Sequence, residues 1–263
     1  MIPCNMGFQV CYIVLFKSFA PATMDMLGID LPGWCDNTQV GQIFWAVVFT
    51  LICFPVTLPR KLSEIRLASM FSVLLSIYVV LVIVFEALLN KGTSSSLSAG
   101  FTAGKDKAHI SMKGIFGSLP LIIFSYMYQV NIPGIYQELE VKTIGNAKKI
   151  IFSGTALASV AYISAGIFGY VAFADGSTEA ELETYFSDNA LAAPWKNDAG
   201  NTPVAIYISL FGMMIVVTFA VPFCVLPVKD SIEEVRGRKF NKMDNVIWSV
   251  VIDLICLVIS CAF

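Results

Sequence analysis

Apolar residues occur along this chain in long runs that are separated by shorter polar connections. Six runs are continuous, at about positions 1–20, 40–58, 67–89, 147–174, 203–227 and 246–263. Each is close to the roughly 20 residues that an α-helix needs to cross the hydrocarbon core of a membrane. A seventh apolar segment, at positions 112–139, contains residues that disfavour helices. The pattern predicts an all-α, polytopic membrane protein with about seven transmembrane helices, forming a single domain over residues 1–263.

The segment at 112–139 is not expected to form one straight helix. Its first half contains Gly117 and Pro120, and its far end contains Asn131, Pro133 and Gly134. Proline removes a backbone donor and glycine weakens a helix, so peptide groups near both places are expected to lack intrahelical partners. Broken helices persist in membranes where neighbouring helices or a cavity satisfy such groups, and transporters bind ligands there. A kinked packing helix is the alternative interpretation.

Composition supports the membrane prediction and excludes several functions. Hydrophobic residues make up 57% of the chain and charged residues only 14%, which is too apolar for a soluble domain of 263 residues. The balance of 17 basic against 19 acidic residues argues against a nucleic-acid partner. The single histidine, His109, and the lack of H-E-x-x-H or G-x-S-x-G motifs argue against a metal centre and an enzyme. We expect the lipid bilayer as a partner, and no catalytic residues, metal or organic cofactor.

The connections between the runs predict an orientation. Basic residues concentrate at 60–66, 142–149 and 229–242, and positive charge favours the cytosolic side, so the start of the chain is predicted to be cytosolic. A seven-helix receptor has the opposite orientation, and a retinal protein needs a lysine that the last run lacks. The connection at 90–111 is rich in glycine and serine, so it is predicted to be an exposed, flexible loop.

Two ionisable residues lie within the apolar runs. Lys17 is near the end of the first run and is expected to extend to the membrane surface. Asp253 is near the middle of the last run, where an unpaired carboxylate is costly, so it should face the helix bundle or be protonated. Asp253 is therefore a candidate for a proton relay. The alternative is an acid beside a water-filled edge.

A family resemblance rests on five stretches of sequence. The segment at 124–139, FSYMYQVNIPGIYQEL, resembles the sixth transmembrane segment of the amino acid/auxin permease family, which includes sodium-coupled neutral amino acid transporters and vacuolar amino acid transporters. Four more stretches match in order: CYIV at 11–14 the third helix, PRKL at 59–62 the turn after the fourth, GYVAF at 169–173 the seventh, and VTFAVP at 217–222 the eighth. The resemblance covers nearly the whole chain, as helices three to nine.

The resemblance implies a partial LeuT-type fold of inverted repeats, in which broken first and sixth helices hold a substrate between the third and eighth. It implies substrate contacts in the sixth and third helices, at Phe124, Ser125, Tyr126, Tyr128, Gln129, Cys11 and Tyr12. Of these, Tyr126 and Tyr128 would limit the size of the substrate side chain, and Gln129 stands where many members carry histidine. Thr218 matches a threonine that helps to hold sodium in sodium-coupled relatives. The alternative for Thr218 is a hydroxyl bonded to its own helix.

The function that the resemblance implies is transport of amino acids by alternating access, a symport driven by a sodium or proton gradient. It would operate in the plasma membrane or in a vacuolar or lysosomal membrane. The alternative is a non-transporting membrane sensor or partner subunit with the same architecture; the substrate and the oligomeric state are left open. Because the family's first and tenth helices have no counterpart within residues 1–263, the chain is expected to be incomplete at both ends.

Overall fold

The protein is described by a computed structural model covering residues 2–26, 28, 32–35, 38–59, 66–89, 92–107, 112–178, 181–182, 191, 193–195 and 202–262. The described residues form α-helices and short connections, with no β-strand among them. The helices are α1 (Ile2–Met26), α2 (Gln39–Thr57), α3 (Arg66–Leu88), α4 (Leu97–Lys107), α5 (Met112–Ser125), α6 (Ile132–Glu138), α7 (Ile144–Ala174), α8 (Val204–Arg236) and α9 (Lys242–Ser260). His109 and the basic turn at 60–65 lie outside the described residues.

The helix lengths confirm an all-α, polytopic membrane protein. Among the described residues, five helices are long and apolar enough to cross a membrane, namely α2, α3, α7, α8 and α9. The other two predicted runs correspond to α1, which has 25 residues, and to the shorter pair α5 and α6. The chain is therefore an integral membrane protein with several spans.

The chain divides into two compact units. The first unit comprises Met1–Ser76, Val130–Glu138 and Leu210–Phe263, and the second comprises Ile77–Gln129 and Leu139–Ser209. The core of the first unit is built from α1, α2, α8 and α9. In that core the rings of Phe16 and Phe49 stack at 4.4 Å between centroids.

The prediction of a flexible loop at 90–111 is wrong for its described part, which contains α4 and packs in the second unit against the end of α7. The last four carbonyls of a helix have no intrahelical partners. Three residues of the connection donate to these carbonyls at the end of α7. Ser94 donates twice, from its hydroxyl to Val171 O and from its amide to Ala172 O. The hydroxyl of Thr93 donates to Phe173 O, and Lys107 Nζ donates to Ala174 O. Each distance is between 2.6 and 3.1 Å. The short polar side chains therefore order this connection.

The predicted interruption at Gly117 and Pro120 is also wrong, because α5 continues through both residues to Ser125. A proline removes one backbone bond, but ending a helix in an apolar environment would leave several groups without partners. The chain leaves the α-helix at residues 126–128 and passes through a 3₁₀ turn at Gln129–Asn131 before α6. Pro133 lies in the first turn of α6, where the missing amide costs no helical bond.

Candidate functional site

The break between α5 and α6 is closed by local hydrogen bonds. The amide of Tyr126 donates to Ile123 O at 3.2 Å, that of Met127 to Phe124 O at 3.1 Å, and that of Tyr128 to Tyr126 O at 3.0 Å. The sequence predicts that peptide groups near the break lack intrahelical partners, and the amides of Tyr126, Met127 and Tyr128 find partners within the turn instead. A tight turn has replaced the helical bonds.

Two tyrosines of the break are held by hydroxyl groups of α7 within the second unit. The hydroxyl of Tyr126 donates to Ser159 Oγ at 2.8 Å. The hydroxyl of Tyr128 and Thr155 Oγ1 lie 2.8 Å apart, and either can donate. Both tyrosine side chains are half-buried. Contacts with α7 therefore fix where the two rings lie beside the break.

A third residue of α7 supports the same turn. The hydroxyl of Tyr162 donates to Ser125 O at 3.4 Å, and its ring packs edge-on against that of Tyr126 at 5.6 Å. Thr155, Ser159 and Tyr162 are spaced by four and three residues, so they share one helix face. The sequence analysis predicts no site residue at these three positions of α7 and so misses them. The signal that was available is a hydroxyl at each turn of an otherwise apolar helix.

The remaining candidate residues of the sixth helix are more accessible. Phe124 is 39% exposed, and Ser125 and Gln129 are exposed. The hydroxyl of Ser125 donates to Leu121 O of its own helix at 2.8 Å. The structure thus brings Phe124, Ser125, Tyr126, Tyr128 and Gln129 together at one turn, with aromatic and polar groups side by side.

Three other candidates belong to the first unit. Cys11 and Tyr12 are half-buried on α1, and Tyr12 packs against the core of that unit. Thr218 on α8 is half-buried, and its hydroxyl donates to Met214 O at 2.8 Å, which is the bond to its own helix that the alternative interpretation describes. A hydroxyl that donates its proton still carries oxygen lone pairs, so this bond is compatible with a cation on the other side.

Asp253 on α9 is buried inside the first unit and is 2% exposed, so it does not lie at a water-filled edge. Gln9 Nε2 donates to Asp253 Oδ1 at 2.6 Å, and Thr57 Oγ1 lies 3.3 Å from Asp253 Oδ2. Donors from α1 and α2 therefore face both carboxylate oxygens. Gln9 and Thr57 were not predicted as site residues, because each is far from Asp253 in sequence.

Lys229 completes this polar cluster. The sequence places Lys229 in a cytosolic connection, but α8 continues through Pro222 and Pro227 to Arg236, and Lys229 is 3% exposed. Its ammonium donates to Thr57 O at 2.5 Å. Asn245 Nδ2 donates to Leu58 O at 2.8 Å, so two side chains satisfy the C-terminal carbonyls of α2.

Lys17 is buried at one end of α9. Its ammonium donates to Ser260 O at 3.2 Å. A cation at the C-terminus of a helix interacts favourably with the helix dipole, which gives Lys17 a partner at the end of α9. In the part of the chain that the structure describes, no group of three or more His, Cys, Asp or Glu residues could hold a metal ion.

Comparison with known proteins identifies the family. A family model described as "Transmembrane amino acid transporter protein" matches residues 4–263. The chain is 28% identical over 190 residues to amino acid transporter AVT6B of Arabidopsis thaliana, which covers 70% of the chain and 41% of that protein. It is 26% identical over 148 residues to sodium-coupled neutral amino acid transporter 7 of Xenopus laevis, covering 56% of the chain and 31% of that protein. With sodium-coupled neutral amino acid symporter 2 of Danio rerio it shares 20% identity over 281 residues, 98% of the chain and 52% of that protein.

The chain therefore spans a third to a half of the length of these relatives. No solved structure matches it. The family is one of transporters rather than enzymes, in agreement with the absence of catalytic motifs. Because the family model covers nearly the whole sequence, the chain belongs to the transmembrane amino acid transporter family.

Proposed function

We propose that the protein takes part in transport of amino acids across a plasma, vacuolar or lysosomal membrane by alternating access, coupled to a proton or sodium gradient. Family membership is the observation that carries this proposal. The break between α5 and α6 supports it, since discontinuous helices in membranes supply polar groups to substrates.

The proposed substrate site is the turn that begins at Phe124. A zwitterionic amino acid needs polar partners for its ammonium and carboxylate groups and an apolar surface for its side chain. The exposed Gln129 and the hydroxyls of Tyr126 and Tyr128 supply polar groups, and the half-exposed ring of Phe124 supplies apolar surface. Contacts of the two tyrosines with α7 would limit how far their rings can move, and so the size of the accepted side chain.

Two places in the first unit suit different coupling ions. Sodium prefers oxygen ligands, and Thr218 offers a hydroxyl oxygen on α8. A proton needs a titratable group, and Asp253 is a buried carboxylate on α9. Thr218→Val removes the hydroxyl, so it should abolish coupling to sodium. Asp253→Asn removes the titratable group, so it should abolish coupling to protons.

Uptake of radiolabelled amino acids into proteoliposomes tests the proposal. The protein is reconstituted alone, and the sodium gradient and the pH gradient are imposed separately. Uptake that follows one gradient and is lost in Tyr128→Ala identifies the coupling ion and the substrate turn. Binding of an amino acid without uptake would favour a sensor or partner subunit. The absence of both binding and uptake for every amino acid would overturn the proposal.

A further inference from the structure

Polar side chains form one continuous buried face along α9. At successive turns of this helix the buried residues include Asn245, Ser249, Asp253, Cys256 and Ser260. The spacing of four, four, three and four residues keeps them on one side. The other side is apolar and exposed, for example at Leu254 and Val258. The helix therefore presents its polar side to the protein and its apolar side outward.

Two cavities of the first unit lie at opposite ends of this polar face. The cavity at one end has a volume of about 500 Å³ and is lined by Asn245 and Lys229. The cavity at the other end has a volume of about 190 Å³ and is lined by Ser260 and Lys17. With a rise of 1.5 Å per residue, the face is about 22 Å long. That length is most of the roughly 30 Å of the hydrocarbon core.

Hydrogen bonds extend from this face to α1. Cys256 Sγ lies 3.3 Å from Gln9 Oε1, while the amide nitrogen of Gln9 donates to Asp253. The hydroxyl of Ser249 donates to Asn245 O at 2.9 Å. Asp253, in the middle, is therefore linked through Gln9 to the next polar residue toward Ser260.

Asn5 is a second, independent observation. It precedes Gln9 by one helical turn on α1, is 1% exposed, and neither Nδ2 nor Oδ1 has a hydrogen-bond partner among the described residues. An unsatisfied buried amide is destabilising, so such groups are commonly paired with buried water. Gln9, one helical turn further along, provides a second polar side chain on the same side of α1.

We propose that the polar face of α9 is a hydrated proton path between the two cavities, with Asp253 as the proton-accepting group midway. A hydronium ion in one cavity transfers a proton to the Asp253 carboxylate, which leaves water and a neutral carboxylic acid. The carboxylic acid then gives a proton to water on the other side, which becomes hydronium and restores the carboxylate. No other covalent bond forms or breaks.

The contact from α1 argues against a metal cation at Asp253. Gln9 Nε2 faces one carboxylate oxygen as a donor, whereas a metal ion needs oxygen lone pairs. Among the described residues, the titratable groups that interact with Asp253 are Cys53 on α2, Lys229 on α8 and Cys256 on α9; α1 contributes the neutral Gln9.

Protonation requires an acceptor beside Asp253, because a carboxylic acid donates its own hydrogen. The Thr57 hydroxyl, which also donates to Phe54 O at 2.9 Å, can accept this hydrogen from Oδ2. The other carboxyl oxygen can still accept from Gln9 Nε2, so the bond from α1 is kept in both protonation states.

The test measures proton movement directly. The inference rests on the proposed coupling to an ion gradient, so proton flux is recorded both without amino acids and with a mixture of neutral ones. The protein is reconstituted into liposomes with a trapped pH-sensitive dye, and valinomycin imposes a membrane potential. Asp253→Asn is expected to reduce protein-dependent proton flux to the level of protein-free liposomes. Asn5→Leu is expected to lower it by a smaller factor.

Val258→Thr is the matched control, because it adds a hydroxyl on the exposed side of the same helix. It is expected to leave the flux unchanged. If Asp253→Asn fails to fold, judged by its elution volume in detergent, infrared difference spectra of the unmodified protein decide the matter. A protonated-carboxyl band that appears on acidification, and that appears at a higher pH in Gln9→Leu because a donor to the carboxylate is lost, supports the proposal, and its absence overturns it.

The outcomes separate this inference from the proposed function. Proton flux that depends on Asp253 without any amino acid uptake would support the path and contradict the proposed transport. Amino acid uptake that proceeds with unchanged proton flux in Asp253→Asn would support transport and overturn the path. A lack of protein-dependent proton flux under both conditions would also overturn it.

Discussion

The contact between Gly92 and the end of α7 allows a sharp test of the second unit. A Cβ atom added at Gly92 would lie 2.1 Å from Ala172 O and 2.7 Å from the carbonyl carbon, both backbone atoms. Ordinary van der Waals contacts of such an atom begin at 3.4 Å. Gly92→Ala therefore forces the connection away from α7, because neither backbone atom can rotate aside.

The size of the effect follows from what the displacement breaks. Ser94 N donates to Ala172 O at 3.0 Å, and this bond lies next to the new methyl group. Overpacking of a close contact costs about 1–3 kcal/mol. Loss of one hydrogen bond adds about 1 kcal/mol. We expect Gly92→Ala to weaken the docking of the connection by about 2–4 kcal/mol.

Hydrogen–deuterium exchange measures this docking locally. In nanodiscs, the amide of Ser94 should exchange about 30- to 900-fold faster in Gly92→Ala, since each 1.36 kcal/mol is a factor of ten. Gly154→Ala is the control, because its added Cβ meets no atom within 4 Å beyond the backbone of its own helix, and alanine is about 1 kcal/mol better than glycine within a helix. Equal exchange at Ser94 in the two variants would show that the close contact does not exist.

Three further predictions concern charge and hydroxyl groups. Gln129→His should introduce a pH step in transport between about pH 5 and 8, because histidine titrates there and glutamine does not; identical pH profiles would refute this. Tyr128→Phe loses the bond to Thr155 and should raise KM for small amino acids more than it lowers kcat, as read from uptake kinetics. Hydrogen bonds from Ser95 hold the pKa of Asp175 below its ordinary value, so its support for the docked connection is present above about pH 4 and is lost as the pH falls further. Exchange at Ser95 against pH, compared with Asp175→Ala, measures that loss.

The membrane helices could be predicted from sequence because lipid imposes length and composition on each one separately. The predicted runs at 40–58, 67–89 and 246–263 lie close to α2, α3 and α9. Each boundary depends only on where polar residues resume. The order of the elements and the existence of a break before α6 could be obtained in the same way.

The exact place of the break could not be predicted from the residues that disfavour helices. Pro120 and Gly117 lie within α5, while the chain turns at residues 126–128, which contain neither proline nor glycine. What holds that turn is a set of hydroxyls on α7, about 30 positions away. Local propensity does not contain this information, because the partner helix decides where a break can be satisfied.

The buried charges were beyond sequence reasoning for the same reason. Gln9 and Asp253 are 244 positions apart, and Lys229 and Thr57 are 172 apart. Taken singly, Lys17 and Lys229 read as surface lysines, which is the usual place for a long cationic side chain. Only the packing of α1, α2, α8 and α9 shows that both are buried.

The last prediction asks whether Lys229 and Asp253 act as a pair. Thr57 joins them, since its carbonyl accepts from Lys229 and its hydroxyl lies against the Asp253 carboxylate. Lys229→Met or Asp253→Asn alone changes one charge within the cluster and leaves the other buried. Residues in one hydrogen-bond network couple by about 0.5–3 kcal/mol, so the double variant should lose less stability than the sum of the single variants.

This coupling is measured from the thermal unfolding midpoints, in one detergent, of the unmodified protein, the two single variants and the double variant. Lys17→Met combined with Asp253→Asn is the control pair, because Lys17 is bonded to Ser260 O at the far end of α9 and its loss should simply add. If the Lys229 pair is as additive as the control pair, the coupling is absent. Lys229 would then serve only to satisfy the end of α2, and Asp253 would be held by Gln9 and Thr57 alone.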